Sequence, residues 1–418
     1  MSPSTSPAVP ADTSVAQSGT SNLCADMASQ TTPANGVLWT HPARAAAFNT
    51  WFAGLVAAHP LQLASLRLAS ADASFRRYLR VDSSDSLVGS RIIMDAPPDK
   101  ENCGPFVEVA RLMAQAGLNV PEVLAWDEAN GFMLLSDLGN QTMMQVINRG
   151  NPQANHAMYL QAVDALIAWQ LASKPHVLPP YSEALLHREL ALFPEWYLAR
   201  HRGVAVEGNV RSTVEVAFKH IVAQNLAWPS VYVHRDFMPR NLMMAAKPDT
   251  SLAGHMGTRW GAQVETRLGG DVETRLGGHV ETRVGVLDFQ DAVYGPITYD
   301  IASLMRDAFL TWEEDFVLDI TIRYWQKARV AGLPVGDDFG EFYRGVEWMG
   351  LQRHLKVAGI FARLSLRDGK PQYLADTPRF ISYIRATTAR YRELKPLHRL
   401  IDRIEGIETA TGFAYGRV

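Results

Sequence analysis

Two short apolar runs, each ending in an aspartate, constrain this chain more than any other feature. The first is Val231-Tyr-Val-His-Arg-Asp-Phe-Met-Pro-Arg-Asn-Leu242 and the second is Val284-Gly-Val-Leu-Asp-Phe289. Each reads as a strand that delivers polar residues into a turn. The first presents His234, Arg235 and Asp236, with Asn241 five residues after the aspartate, and the second presents Asp288. This is a phosphoryl-transfer layout. Such chemistry needs one carboxylate to orient an attacking hydroxyl, and oxygen ligands to hold magnesium across nucleotide phosphates. The bland alternative makes Asp236 and Asn241 simple turn caps. It leaves unexplained why a second strand also ends in an aspartate and why a small sheet-rich lobe lies upstream.

That lobe is legible in outline. Residues 1–38 are rich in Ser, Thr, Ala and Pro and are expected to form a disordered tail. Thr40-His41-Pro42 then offers a cap and an early proline ahead of a helix carrying Phe48, Trp51, Phe52 and Leu55. Strands are expected over Leu61–Ala69, Arg77–Val81, Arg91–Met94, Pro121–Leu124 and Phe132–Leu135, with a helix over Pro105–Gly117 between the third and fourth. From Met143 onward helical spacing dominates, as in Tyr159, Val163, Leu166 and Ile167, and again in Leu351, Leu355, Ala358 and Ala362. The expectation is an α+β chain of two lobes: a small sheet-rich N-lobe over 39–139 and a larger, mainly helical C-lobe over 140–418.

An eight-residue repeat interrupts the C-lobe. Val264-Glu-Thr-Arg-Leu-Gly-Gly-Asp271 recurs from Val272 to His279 and partly from Val280 to Gly285. Three such copies bury too little to form a solenoid. Residues 246–283 therefore read as an insert in the hairpin turn between Asn241 and Asp288, either a tolerated surface insertion or a docking arm.

Composition narrows the partners. With 40 basic and 43 acidic residues the formal charge is −3, and no long run of like charge occurs. Nucleic acid and membrane surfaces are therefore not expected as partners. Cys24 and Cys103 are the only cysteines, too few for a disulfide framework or a zinc cluster. No stretch is apolar enough to span a bilayer, and the N-terminus lacks a signal-peptide pattern, so the cytoplasm is the expected compartment.

The segments His234–Met243, Leu287–Ala302 and Leu351–Arg363 resemble the aminoglycoside-phosphotransferase and choline-kinase branch of the protein-kinase-like fold. Within it they resemble the bacterial N-acetylmuramate/N-acetylglucosamine anomeric kinases of cell-wall recycling. The resemblance covers residues 41–418 apart from the insert. It implies a two-lobed protein-kinase-like fold with ATP and Mg²⁺ between the lobes, a small amino sugar as acceptor, and a monomer. Asp236 then matches the catalytic-loop aspartate, and Asn241 and Asp288 the magnesium ligands. His234 matches a packing histidine beneath the site, and Asp300 the helix aspartate that pins the loop. Kinases for another small hydroxyl substrate, aminoglycoside or choline-like, and a non-catalytic nucleotide-binding module are the alternatives.

On the nucleotide side, Ser74 and Arg76 lie where a phosphate-covering turn is expected, although no glycine-rich signature is present. Glu108 matches the family's helix glutamate. Ser136 and Leu138 fall in the connector where adenine should lie. The third strand, Arg91-Ile-Ile-Met-Asp-Ala-Pro-Pro98, has no lysine where kinases place the phosphate-binding one. On the acceptor side, Arg240, Gln290, Asp291, Tyr294 and Arg306 are the candidates, with Arg353 and His354 as further candidates for a sugar carboxylate.

Overall fold

A computed structural model describes residues 37–39, 41–71, 75–86, 88–244 and 284–407. Residues 1–36 of the expected 1–38 tail, Ser74 and the repeat insert lie outside the described residues, while Val37 at the end of that tail is buried with Phe48 and Phe52, contrary to expectation.

Pro42 opens α1 (Pro42–Leu55), where its fixed φ suits the first turn and its missing N–H is no loss. Five strands follow: β1 (Leu61–Ala71), β2 (Arg77–Ser83), β3 (Ser90–Asp95), β4 (Val123–Asp127) and β5 (Phe132–Ser136), with α2 (Gly104–Gln115) between β3 and β4. They form one antiparallel sheet in the order β1-β2-β3-β5-β4. Alternation along β3 assigns its two faces. Ile93 joins Leu79, Leu134, Phe48 and Phe52 in a cluster under α1, whereas Met94 joins Met133, Phe106 and Met113 under α2. Burying each of these large side chains contributes about 1.5–3 kcal/mol.

Asp95 continues the α1 side. It is 3% exposed. Arg44 of α1 and Arg77 of β2 both donate to it, Arg77 at 2.6 Å. The Met-Asp-Ala-Pro segment that stands where a lysine was sought is therefore a tie between helix and sheet.

The second lobe is helical. It comprises α3 (Met143–Val146), α4 (His156–Leu171), α5 (Glu183–Leu190), a π-helical run over Phe193–His201, and α6 (Gly208–Leu226). After four short strands come α7 (Thr298–Met305), α8 (Glu314–Val330), α9 (Phe339–Leu366), α10 (Thr377–Arg390) and α11 (Lys395–Glu405). The expected stripe Leu351, Leu355, Ala358 and Ala362 is buried on α9. Gly359 lets that helix approach the chain at Leu192, since a Cβ there would stand 2.4 Å from the Leu192 carbonyl. No helix among the described residues is long and apolar enough to cross a membrane.

The four strands carry the chemistry. β6 (Ser230–Val233) pairs antiparallel with β9 (Val293–Pro296), and β7 (Leu242–Met243) with β8 (Gly285–Val286). Leu242 faces Val286 and Met243 faces Gly285, so the chain leaves for residue 245 and returns from residue 283 at adjacent points.

Candidate active site

β6 ends at Val233, and the loop after it bends sharply. Arg235 takes φ 78°, a left-handed conformation that costs a non-glycine residue energy unless its surroundings hold it. Asp300 on α7 does the holding. Its two carboxylate oxygens accept the N–H of His234 at 2.7 Å and of Arg235 at 3.0 Å. Burial pushes the Asp300 carboxyl up to about 7 even so.

His234 lies beneath this loop, fully buried. Its Nε2 donates to the Leu287 carbonyl at 3.0 Å, and its Nδ1 accepts the Asp236 N–H at 3.2 Å. That pattern requires the neutral ring, and burial pushes the imidazole down to about 4. The Leu287 N–H returns to the Asn241 carbonyl at 2.9 Å. Catalytic loop and second strand are thus stitched together through main-chain groups.

Asp236, Asn241 and Asp288 meet here. The Asn241 amide donates to the Asp236 carbonyl at 2.9 Å and to the Asp288 carboxylate at 3.2 Å. Asp288, at φ 65°, is a second strained residue. Its other oxygen accepts the Gln290 amide at 2.8 Å, and the Gln290 Oε1 is buried with no hydrogen-bond partner. Carboxylate, amide and an unsatisfied amide oxygen form an all-oxygen donor set suited to a hard divalent cation such as Mg²⁺. Only one carboxylate stands there. Among the described residues no group of three or more His, Cys, Asp or Glu forms a metal cage. An Mg²⁺ site that is completed by phosphate oxygens has this character.

The Asp236 side chain is 41% exposed. Although burial opposes its charge, Lys356, Arg353 and Arg235 hold its carboxyl below the usual range. Arg353 stands 4.0 Å from Asp236 Oδ1 and donates to the Arg235 carbonyl at 2.5 Å. Glu189 of α5 gathers the remaining charges, accepting from Arg235 at 2.6 Å, Lys356 at 3.0 Å, Gln352 at 3.0 Å and Tyr181 at 2.5 Å. Burial works against the Glu189 charge, but Lys356 and Arg235 outweigh it and bring the carboxyl down to about 2. Sequence reasoning missed Glu189 and Lys356 and read Arg353 only as a ligand for a sugar carboxylate.

Above this floor is a cavity of ≈ 380 Å³ between sheet and helices. Tyr78, Arg80 and Ile92 line it from the sheet, the segment Ser136–Asn140 from the connector, and Arg240, Asn241, Leu287 and Asp288 from below. Ser136 and Leu138 therefore stand where the connector was expected. Arg80 was not anticipated. It pairs with Asp137 at 2.6 Å and donates to the Gly139 carbonyl at 2.7 Å, while Ser90 also donates to Asp137. Arg76 faces Glu101 at 3.0 Å. Glu108 is exposed on α2, and no described residue pairs with it.

The acceptor candidates divide. Arg240 is exposed, lines the cavity and lies 5.0 Å over the Phe309 ring. Gln290 is at Asp288, and Asp291 is exposed, 3.9 Å from Arg235. Two others turn away. Arg306 is buried and bound to Glu347 at 3.3 Å and the Tyr343 hydroxyl at 3.1 Å, which leaves it for packing rather than for a ligand. Tyr294 sits on β9 opposite Tyr232, with the two rings edge to face. The buried His354 gives its Nε2 to the Arg306 carbonyl at 3.1 Å, and burial pushes it down to about 3, so it carries no charge for a carboxylate.

The phosphotransferase enzyme family matches residues 65–253 and 279–337. An N-acetylmuramate/N-acetylglucosamine kinase of Neisseria meningitidis is 44% identical over 353 residues, covering 84% of this chain and 94% of that protein. A protein of the same name from Pseudomonas aeruginosa is 46% identical over 338 residues, covering 81% and 88%. Among solved structures, choline kinase from Cryptosporidium parvum superposes with a TM-score of 0.50 at 9% identity, covering 84% of this chain and 99% of that one. This last likeness concerns the fold alone.

Proposed function

Since the chain belongs to the phosphotransferase enzyme family, we propose that it transfers the γ-phosphoryl group of ATP to the anomeric hydroxyl of N-acetylmuramate or N-acetylglucosamine. The products are the sugar 1-phosphate and ADP. The observation that carries this reading is the partly open Asp236 carboxylate on the same loop as Asn241, whose amide is linked to Asp288 where the two line a cavity between the lobes.

Asp236 is ionised and partly open to solvent, so it aims the anomeric hydroxyl and takes its proton as the oxygen bonds to phosphorus. An anomeric hydroxyl is more acidic than an ordinary alcohol, which lightens that task. Asn241 and Asp288 would hold Mg²⁺, which when bound would supply neutralisation of charge on the nucleotide phosphates. Asp300 and His234 keep the loop in its strained shape, which preserves alignment between acceptor and nucleotide. Ser136 and Leu138 border the adenine end, while Arg240, Gln290 and Asp291 border the acceptor. The cations Arg235, Arg353 and Lys356 around Asp236 weigh against a cationic acceptor such as an aminoglycoside.

An ATP-consumption assay over a sugar panel, followed by phosphorus NMR of the product, tests the reading. Turnover with an N-acetylated amino sugar and phosphorus on the anomeric oxygen are expected. Phosphorus at another hydroxyl, or no ATP use with any amino sugar, overturns it.

A further inference from the structure

A triphosphate brings strong negative charge into the cavity, and β3 carries no lysine to meet it. Met94 is buried beneath α2, and Asp95 is tied to Arg44 and Arg77. Among the described residues that line the cavity, two are cations, Arg80 and Arg240. Arg80 is neutralised by Asp137 at 2.6 Å and gives a further N–H to the Gly139 carbonyl.

Arg240 differs. It is exposed and makes no hydrogen bond or ion pair with any described residue. Its guanidinium lies over the Phe309 ring at 5.0 Å, which steadies the cation and leaves its N–H donors unused. The carboxylate that its charge reaches, Asp307, is buried and turned to the Phe309 and Leu310 N–H groups. The backbone position is fixed as well. Arg240 is the middle residue of a one-turn 3₁₀ helix, Pro239–Asn241, whose other two residues are buried. Its stem is therefore rooted between Asp236, which aims the acceptor, and the Asn241 amide that is linked to Asp288.

We propose that Arg240 contacts the γ-phosphoryl group of ATP and stabilises it in transfer, supplying positive charge that no lysine on β3 provides. The proposal rests on the phosphoryl-transfer reading above and holds for either sugar. In that step the anomeric oxygen bonds to phosphorus and its proton passes to Asp236. The bond from phosphorus to the β-phosphate oxygen breaks, and its electron pair leaves on ADP. Charge is spread over the outer oxygens of the phosphoryl group, which a planar guanidinium can grip through two parallel N–H donors.

The test uses Arg240→Met and Arg240→Lys in the full chain. Because the side chain is exposed, both variants should melt as the wild type does. Calorimetry reads the affinity for Mg²⁺-ADP and for Mg²⁺-AMP-PNP, an ATP analogue whose γ-phosphoryl group is not transferred. The Met variant is expected to bind AMP-PNP about tenfold more weakly and ADP within about twofold of the wild type, since only AMP-PNP carries the γ-group. Its kcat should fall by about 10²–10³ on N-acetylmuramate and N-acetylglucosamine alike, with partial rescue by Lys and saturable rescue by added guanidinium ion. Equal losses of ADP and AMP-PNP affinity, as a merely structural arginine would give, overturn the inference. A fall in turnover confined to N-acetylmuramate also overturns it, by making Arg240 a ligand for the sugar's carboxylate. Either result leaves the sugar-kinase reading intact, whereas a wild type that consumes no ATP with either sugar overturns both.

Discussion

Asn241 and Asp288 lie 47 positions apart in the chain, yet the amide of one donates to the carboxylate of the other at 3.2 Å. Two antiparallel residue pairs, Leu242–Val286 and Met243–Gly285, bring them together. The pair is small and polar, and its left-handed Asp288 would be an unrewarded strain in a purely structural hairpin.

If this pair holds Mg²⁺, Asp288→Asn should raise the Mg²⁺ concentration needed for half-maximal activity by about tenfold or more and lower kcat as well. Asn241→Ala should act in the same direction, less strongly. Titrating Mg²⁺ at saturating ATP measures both effects. An unchanged Mg²⁺ requirement in Asp288→Asn would remove the pair from the metal site.

Asp236 is assigned the acceptor proton, so Asp236→Asn should cost about 10²–10⁴ in kcat. Its backbone N–H still meets His234 Nδ1 and its carbonyl still meets the Asn241 amide, because neither contact uses the side chain. Calorimetric binding of sugar and nucleotide should therefore stay within about twofold of the wild type. Retention of most turnover would move the proton-handling role elsewhere.

Much of this is legible in the sequence. Apolar strands ending in Asp236 and Asp288 announce themselves, because a buried strand has one periodicity and its polar terminus stands out. The faces of α1 and α2 follow from Phe48 and Phe52, and from Phe106 and Met113, for the same reason. What escaped depends on contacts between residues far apart in sequence. Nothing in the neighbourhood of Glu189 says that it will meet Arg235 and Lys356. Proximity to Asp288 likewise misled for Tyr294, since β9 turns that ring back toward Tyr232. Arg306 misled in another way. A guanidinium suits a ligand carboxylate and a buried Glu347 equally well, and only the packing of α7 against α9 decides between them. A signal did exist for Lys356: Gln352, Arg353 and Lys356 interrupt an apolar stripe, which polar residues on a buried helix seldom do without partners.

Asp300 offers a test in which pH reports on a single carboxylate. Its oxygens take two backbone N–H groups, and an asparagine can accept only one of them. Leaving one buried donor unpaired costs about 1–3 kcal/mol, so Asp300→Asn should melt lower and lose kcat as Arg235 relaxes. Burial sets the carboxyl at about 7 in the folded protein, above its value near 3.9 in the unfolded chain. Between those values the folded state binds more protons, so this group's contribution to stability falls as pH rises toward 7 and is level above it. Asn cannot titrate. The deficit of Asp300→Asn relative to the wild type should thus be larger at pH 5 than at pH 8, read from urea midpoints at each. Equal deficits would show that Asp300 is already ionised at pH 5.

The repeat insert supplies the last prediction. Met243 and Gly285 are Cα partners, and the Val286 N–H also bonds the Asn119 carbonyl at 2.8 Å, so described residues on either side of the insert anchor the strand that leads to Asp288. Replacing those residues with a short turn should leave kcat/KM for sugar and ATP within about twofold. If the insert is only a tolerated surface insertion, each halving of its length returns about 0.6 kcal/mol of closure entropy, so roughly three halvings should stabilise the fold by about 2 kcal/mol. Thermal melting and steady-state kinetics on the shortened protein decide the matter together. A stable protein with a tenfold loss in kcat/KM would mean that the repeat reaches the substrate and that the arm, rather than the tolerated insertion, is the correct reading.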